Sequence, residues 1–240
     1  PLQICYTGAM SRGAQSRVSR TRTIPLPNDY IRALYGEFGS VCLDEESAPQ
    51  QKGQWRTKVF AAPEHAPLDL EIGTGNGYHF AHRAVVAPQR LLLGLELKYK
   101  PLIQTIRRSV RNRSLNTRMA RYNASLIHEL FAPQEIHDVF IHFPDPWSKI
   151  RQQKHRLIQP EFLERLWEAQ HPGSQVEFKT DNRNYFDWAL ERFAKSRYNL
   201  EAHSFDLHNS AWATENFVTQ FESLFLRQGL PIHVARLRRS

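Results

Sequence analysis

Residues 68–77 read Leu-Asp-Leu-Glu-Ile-Gly-Thr-Gly-Asn-Gly, a short apolar run followed by three glycines at alternate positions. The run has the length and composition of a buried strand, and residues 78–86 after it have the pattern of a helix. Glycines at such a turn permit a tight bend and let a ligand approach the backbone N–H groups. The stretch therefore predicts a strand, a ligand-binding turn and a helix, with a purely structural turn as the alternative.

The chain continues in the same alternation of short apolar runs and helix-like stretches. We predict strands at residues 68–72, 91–95, 117–122, 139–143, 176–178, 200–205 and 232–237. We predict helices at residues 78–86, 102–113, 125–131, 160–169, 184–194 and 216–227. This order implies an α/β fold with a mostly parallel sheet covered by helices on both faces. Residues 33–66 predict a helix or two over the core, so we expect a single domain over residues 33–240.

The composition is that of a globular protein with one core. The 240 residues are 41% hydrophobic and 23% charged, unlike a disordered chain. No apolar run approaches the roughly 18 residues of a membrane span, so we expect no membrane association. Cys5 and Cys42 lack the spacing of a disulfide framework or a zinc site, which favours two thiols in a reducing cytoplasm.

The charge balance is basic, with a formal net charge of +8. It favours a polyanionic partner, although many basic proteins bind none. Residues 1–32 contain a single acid, Asp29, and are rich in arginine. The arginines are Arg12, Arg17, Arg20, Arg22 and Arg32. We predict a flexible basic arm here, either a solubilising tail or a nucleic-acid contact, without the apolar core of a secretory signal.

Acidic residues at the ends of the first two strands favour a cationic nucleoside ligand. Glu71 lies directly ahead of the glycines, where it would repel a pyrophosphate and attract a cation. The spacing G-x-G-x-G also differs from the G-x-G-x-x-G of dinucleotide sites, which argues against an NAD-dependent dehydrogenase. S-adenosylmethionine carries an ammonium and a sulfonium, so it suits this carboxylate. Glu96 ends the second strand and can accept two hydrogen bonds from ribose hydroxyls.

The remaining predicted cofactor contacts are the glycines and the end of the third strand. Asn123 and Ala124 follow that strand, where an amide can meet an adenine edge. Short polar strand ends are common, so this is the weakest sequence signal of the set. The glycines that would receive the ligand are Gly73, Gly75 and Gly77.

The fourth strand breaks at Pro144-Asp145-Pro146-Trp147. Two prolines around Asp145 stiffen the backbone and aim its carboxylate outward at the carboxyl edge of the sheet. Trp147 can stack on a base or pack under the loop. The basic residues that follow suit phosphates, with a solvated basic face as the alternative. They are Lys149, Arg151, Lys154, His155 and Arg156.

Residues 142–149, continuing to His155-Arg156, resemble the motif of the bacterial tRNA (guanine-N7-)-methyltransferase family. Four further segments match family segments in the same order along the chain. They are residues 71–77, Gly94-x-Glu96, Thr180-Asp181 and Thr219-Gln220-Phe221-Glu222. The resemblance extends from about Leu68 to Leu237, and its Phe-Pro-Asp-Pro-Trp segment is highly specific.

The resemblance implies a Rossmann-like class I methyltransferase with a seven-stranded sheet, S-adenosylmethionine as cofactor and N7 of a variable-loop guanine in tRNA as acceptor. It places Glu71, Glu96, Asn123 and Asp145 at the cofactor, with Asp145 also catalytic. It assigns the target nucleotide to Lys149, Asp181, Thr219, Gln220, Phe221 and Glu222, and an RNA contact to residues 151–156, which include Arg151, Lys154 and Arg156. The chain departs from the family pattern at Asn123, usually Asp, at Gln152 and Gln153, usually histidines, and at Ile150, usually basic.

The chemistry of this reaction fits the residue types. Guanine N7 has a lone pair and no proton, so neither a strong base nor a metal is needed, and positioning is the main task. A carboxylate from Asp145 or Asp181 would stabilise the charge that develops on the base. Two alternatives stay open: another S-adenosylmethionine-dependent nucleobase methyltransferase, and a non-catalytic RNA-binding protein on the same fold. We expect a monomer or homodimer without an obligate partner subunit.

A second basic run lies between Glu96 and Glu129, where no acid occurs. It predicts a surface for the tRNA backbone, with a solvated helix face as the alternative. Its cations are Lys98, Lys100, Arg107, Arg108, Arg111, Arg113, Arg118 and Arg121.

Overall fold

The computed structural model describes residues 29–240, which form an α/β domain around an eight-stranded sheet. The strands are β1 (Cys42–Leu43), β2 (Leu68–Ile72), β3 (Leu91–Leu95), β4 (Thr117–Ala120), β5 (Val139–His142), β6 (Gln175–Thr180), β7 (Tyr198–Ser204) and β8 (His233–Arg239). Their order in the sheet is β1-β4-β3-β2-β5-β6-β8-β7. The first six of these strands pair in parallel, and β8 pairs antiparallel with both β6 and β7.

Seven α-helices connect the strands in the described part of the chain. They are α1 (Asp29–Tyr35), α2 (Tyr78–Val86), α3 (Tyr99–Arg111), α4 (Ile127–Leu130), α5 (Pro160–Ala169), α6 (Arg183–Ala194) and α7 (Gln220–Arg227). Pro160 begins α5, where a missing N–H costs nothing. Asn182 caps α6 by accepting a hydrogen bond from Tyr185 N at 2.8 Å. Local sequence signals therefore set where these helices begin.

Both faces of the sheet are covered, because alternate strand residues point to opposite sides. Leu91, Leu93 and Leu95 of β3 belong to the larger core, which includes side chains of α5 and α6. Leu92 belongs to a second core with side chains of α1, α2 and α3. The predicted α/β class with helices on both faces is confirmed.

The predicted boundaries agree with the structure for β2, β3, α2 and α5. The sheet has eight strands rather than the predicted seven, because the two-residue β1 pairs with β4. Where a helix or two is predicted in residues 33–66, the structure has the end of α1, a 3₁₀ turn at Pro49–Gln51 and a π-helical turn at Trp55–Val59. The predicted arm lies largely outside the described residues, and its last four residues begin α1, where Ile31 is buried.

Two kinds of feature are absent from residues 29–240. No helix in this range has the length and apolar character needed to cross a membrane. No cluster of His, Cys, Asp and Glu side chains in the same range could hold a metal ion.

Candidate active site

The predicted site residues follow parallel strands and therefore gather at one edge of the sheet. Strands β2 to β6 all end there, so the loops after them lie side by side, where ligands of α/β proteins bind. We call this the carboxyl edge. The glycine loop (residues 73–77) follows β2, and the elbow (residues 143–147) follows the neighbouring β5.

The glycine loop folds back onto the end of β3. Gly73 N and Thr74 N donate to Leu95 O, at 2.9 and 3.3 Å. Gly77 has a φ of 76°, and a Cβ there would lie 2.6 Å from the Thr105 Cα of α3. Only glycine fits this position, which allows α2 and α3 to pack closely behind the loop.

Glu96 connects the end of β3 to the glycine loop. Its Oε2 accepts a hydrogen bond from Gly75 N at 3.1 Å, and its Oε1 accepts one from Lys98 N at 3.0 Å. Burial raises the pKa of Glu96, although these backbone N–H groups oppose the change. The carboxylate is thus held in place at the position predicted for a ribose acceptor.

Glu71 lies beneath the glycine loop and already has a partner. Its side chain is buried, with the residue 3% exposed, and its Oε2 lies 2.7 Å from His79 Nδ1 on α2. The His79 ring in turn meets the edge of His142 on β5, with centroids 4.4 Å apart. The sequence signal identified the carboxylate but not this histidine. The Glu71 carboxylate is thus paired with His79, and its role toward a cationic cofactor stays a prediction.

Asn123 caps the turn that follows β4. Its Oδ1 accepts hydrogen bonds from Ser125 N at 3.1 Å and Ser125 Oγ at 2.8 Å. The capped 3₁₀ turn is Ala124–Leu126, and Ala124 is buried. The role of both residues at an adenine stays a prediction.

The elbow presents Asp145 at its exposed crest, between two residues with unusual backbone geometry. Phe143 has a φ of 52° and Trp147 a φ of 43°, both in the left-handed region. Bulky residues rarely adopt it, and it costs about 1–3 kcal/mol per residue, so the surroundings must hold the loop. The Trp147 ring meets the edge of His155 with centroids 5.4 Å apart. The Trp147 side chain therefore packs between the elbow and the basic residues that follow it.

The basic stretch (residues 149–156) divides into exposed and buried cations. Lys149, Arg151 and Lys154 are exposed, as an RNA contact requires. Arg156 is only 1% exposed, and its Nε donates to Pro146 O at 2.8 Å. The guanidinium therefore lies under the elbow, and its contact with RNA stays a prediction. The charge of this residue is evident in the sequence, but the aromatic side chains of α6 that surround it are not.

The segment Thr219–Glu222 forms the N-cap and first turn of α7. Two of its side chains form the cap, and the other two lie against the glycine loop. Thr219 and Glu222 form a capping box: Glu222 N donates to Thr219 Oγ1 at 3.1 Å, and Thr219 N donates to Glu222 Oε2 at 3.4 Å. Glu222 is fully buried. Both side chains are buried and occupied by the cap, and their contact with the target nucleotide stays a prediction.

The other two residues of this segment lie against the glycine loop. Gln220 Oε1 accepts a hydrogen bond from Asn76 Nδ2 at 3.1 Å. Phe221 is half exposed, and its ring lies 3.5 Å from where a Cβ on Gly75 would be. Farther along α7, Phe225 packs on Phe143, with centroids 5.5 Å apart. Helix α7 thus contacts both the glycine loop and the elbow.

Asp181 follows β6, beside the elbow. It is half-buried, and burial raises its pKa. Because β5 and β6 are neighbours, Asp181 and Asp145 both lie at the same part of the carboxyl edge.

A buried polar chain that the sequence did not reveal anchors α7 to the sheet. Lys179 Nζ, on β6, donates to Asn216 Oδ1 at 2.6 Å and lies 3.2 Å from Glu177 Oε1. Asn216 Nδ2 donates to Glu222 Oε1, which also lies 2.8 Å from His208 Nε2. These residues come from separate segments, and no periodic pattern links them.

The second basic run is less exposed than its sequence predicts. Arg121 is buried, with its Nη1 2.7 Å from Glu45 Oε1. Arg118 donates to Val59 O at 3.1 Å, and Arg108 lies 3.6 Å over the Tyr78 ring. The exposed cations are Lys98, Lys100, Arg107, Arg111 and Arg113.

Comparison with known proteins assigns the chain to a family. A family described as "Putative methyltransferase" matches residues 65–235. A tRNA (guanine-N(7)-)-methyltransferase of Bdellovibrio bacteriovorus is 49% identical over 207 residues, which cover 86% of this chain and 99% of that protein. The chain belongs to the tRNA (guanine-N7-)-methyltransferase family. The enzyme of that name from Bacillus subtilis is 32% identical over 218 residues, covering 91% of this chain and 98% of that protein.

Solved structures share the fold of this family member. The 16S rRNA methyltransferase KamB superposes with a TM-score of 0.52 at 14% identity, covering 72% of this chain and 87% of that one. An antibiotic-related methyltransferase has a TM-score of 0.54 at 15% identity, covering 75% and 90%. At such identities the likeness concerns the fold alone, and it confirms the Rossmann-like methyltransferase class.

Proposed function

We propose that this family member is an S-adenosylmethionine-dependent tRNA methyltransferase that methylates N7 of a variable-loop guanine. The observation that carries the proposal is Asp145, exposed on a rigid elbow beside the glycine loop. A family member with this arrangement has an acid placed where a guanine and a methyl donor would meet.

The residues at the carboxyl edge fit S-adenosylmethionine. The Glu96 carboxylate is fixed by two backbone N–H groups and can accept hydrogen bonds from a ribose. The space beside Gly73 is open, since a Cβ there would meet no atom within 4 Å. When bound, the cofactor supplies an activated methyl group on a positively charged sulfur. The carboxylates of Glu96, Asp145 and Asp181 give this edge the opposite charge.

The side chains present suffice for transfer to N7. Guanine N7 carries no proton, so no residue has to act as a strong base, and orientation of the two reactants dominates. Asp145 or Asp181 can accept hydrogen bonds from the guanine N1–H and N2 amino group and stabilise the charge that develops on the ring. Phe221, half exposed above Gly75, can contact the base or the cofactor.

The exposed cations support tRNA as the substrate. Lys149, Arg151 and Lys154 lie beside the elbow, and five further exposed cations lie on and around α3. Lys and Arg side chains that neutralise phosphates give binding that weakens steeply with salt. We infer that the chain acts in the cytoplasm, as a monomer or homodimer, on free tRNA.

Replacement of Asp145 by Ala tests the assigned role. With labelled S-adenosylmethionine and bulk unmodified tRNA, we expect Asp145→Ala to lose nearly all product while its thermal unfolding temperature stays unchanged. Glu191→Ala is the matched control: Glu191 is exposed on α6, about 12 Å along the helix from the carboxyl edge. An Asp145→Ala variant as active as Glu191→Ala would remove Asp145 from the reaction.

A further inference from the structure

The elbow is held at both ends, and each end uses a different part of the fold. At the upstream end, Phe143 N donates to Lys179 O of β6 at 2.8 Å, and its ring packs on α7. The left-handed backbone of Phe143 is therefore fixed by the sheet. The downstream end, at Pro146 and Trp147, has no strand beside it and needs another support.

Arg156 supplies that support. Its Nε donates to Pro146 O at 2.8 Å, and its Nη2 donates to Asn184 Oδ1 at 2.7 Å. The guanidinium also lies 4.8 Å from the Tyr185 ring centroid and 5.0 Å from that of Trp188. Asn184, Tyr185 and Trp188 all belong to α6, so Arg156 ties the elbow to this helix.

The surroundings of Arg156 suit a structural connector better than a phosphate ligand. No carboxylate pairs with it among residues 29–240, and two aromatic faces, a carbonyl and an amide oxygen surround it instead. Its Nε and Nη2 donate to these two oxygens, and its buried Nη1 has no hydrogen-bond partner. Burial of a cation is costly without such partners. A guanidinium is planar, so its faces can stack on aromatic rings while its N–H groups donate within the plane. An ammonium has no such planar face.

We propose that Arg156 is a positioning residue that fixes the elbow and thereby aims Asp145, and that it makes no contact with RNA. The inference rests on the proposed function, since it explains how Asp145 is held for that reaction. It separates Arg156 from Arg151, which lies in the same basic stretch but is exposed. The two arginines therefore have different roles: Arg151 contacts tRNA, and Arg156 orients the catalytic acid.

Steady-state kinetics with unmodified tRNA, at several salt concentrations, distinguish these roles. We expect Arg156→Gln and Arg156→Lys to lower kcat about 10- to 100-fold, because a displaced group of this kind costs roughly that much. Their KM for tRNA and the salt dependence of that KM stay at the wild-type values. Arg151→Gln, by contrast, raises the KM for tRNA and reduces the salt slope by about one.

Two further variants control for stability. Arg192 also stacks on Trp188, at 3.3 Å, but does not contact the elbow, so Arg192→Gln should keep the wild-type kcat. Asn184→Ala leaves Arg156 in place and removes one acceptor, so we expect a smaller fall in kcat with unchanged KM. If Arg156→Gln does not fold, the kcat of Asn184→Ala decides whether the contact of Arg156 with α6 positions the elbow.

Either of two results would overturn the inference. One is an Arg156→Gln variant that behaves like Arg151→Gln, with a raised KM, a reduced salt slope and wild-type kcat. The other is an Asn184→Ala variant with wild-type kinetics alongside an unfolded Arg156→Gln. A wild-type chain that makes no product on any tRNA would instead refute the proposed function.

Discussion

At the scale of single residues, the Glu96 carboxylate is held in a fixed orientation where we propose a ribose contact. Two backbone N–H groups, from Gly75 and Lys98, hold it at the end of β3. These bonds fix the orientation of both oxygens before a ligand arrives, which lowers the cost of ordering the site. Burial raises the pKa of this group, so it takes up a proton at a higher pH than an exposed glutamate.

Replacement of Glu96 by Gln should weaken cofactor binding. Hydrogen bonds to charged groups contribute about 1.5–3 kcal/mol, so we expect Kd for S-adenosylmethionine to rise roughly 10- to 100-fold by calorimetry. Wild-type affinity should also fall as the pH drops toward the raised pKa of Glu96, and Glu96→Gln should lose this dependence. Glu37→Gln, at an exposed glutamate near α1, serves as the control. An unchanged Kd for Glu96→Gln would remove this residue from the cofactor site.

Residue types at the site were predictable from the sequence, but their burial was not. Glu71 near the end of β2, Glu96 directly after β3 and the elbow aspartate lie where the strand pattern predicts. Arg156 reads as one more cation of a basic stretch, because the aromatic residues that enclose it lie about thirty positions downstream. Glu222 likewise depends on Asn216 and Lys179, which only the folded chain brings together.

At the scale of elements, α7 joins the two loops of the site. Its first turn lies over the glycine loop through Gln220 and Phe221, and its second packs on the elbow through Phe225. The capping box fixes the start of the helix, and Asn216 connects that start to β6. We therefore expect any loosening of the cap to displace the glycine loop.

Glu222→Ala tests this connection. It removes the carboxylate half of the capping box, although Thr219 Oγ1 can still accept from the backbone N–H of residue 222. It also leaves the Asn216 amide and the His208 ring without their acceptor. An unpaired buried donor costs about 1–3 kcal/mol, so we expect a fall in unfolding free energy of that order and weaker cofactor binding. Leu224→Ala, at an exposed position of the same helix, should change neither quantity much. Destabilisation without any loss of cofactor affinity would show that α7 is not coupled to the loop.

The elements themselves differ in how far the sequence predicts them. Strands β2 and β3 and helices α2 and α5 have strong apolar patterns, and their predicted boundaries agree with those of the structure. Strand β1 has two residues, too few for any alternation to show, and only its pairing with β4 defines it. Helix α7 begins at Gln220 rather than at the predicted residue 216, because the capping box sets its start.

At the scale of the whole molecule, two groups of exposed cations are candidates for contact with a polyanion, one in the basic stretch and one on α3. Three exposed cations of the basic stretch adjoin the elbow. Lys100, Arg107 and Arg111 are exposed on α3, and their spacings of seven and four residues place them on one helix face. Helix α3 begins near the carboxyl edge and runs away from it, so Lys100 lies nearest that edge and Arg111 about 16 Å farther along the helix. A polyanion that contacts both this face and the elbow must span that length.

Combined neutralisation of the α3 face tests whether it contacts tRNA. We expect the triple variant Lys100→Gln, Arg107→Gln, Arg111→Gln to weaken tRNA binding. The slope of log K against log salt should fall by about 0.9 for each phosphate that the variant no longer neutralises. Arg197→Gln is the control, since Arg197 pairs with Glu164 outside this surface. If the triple variant matches the control, α3 carries only a solvated basic face.

Nucleoside mass analysis of the tRNA product tests the central claim most directly. Unmodified tRNA incubated with the wild-type chain and S-adenosylmethionine, then digested to nucleosides, should yield 7-methylguanosine as the single new species. A methyl group found on an exocyclic amine or on another base would contradict the account, and so would the absence of any methylated nucleoside.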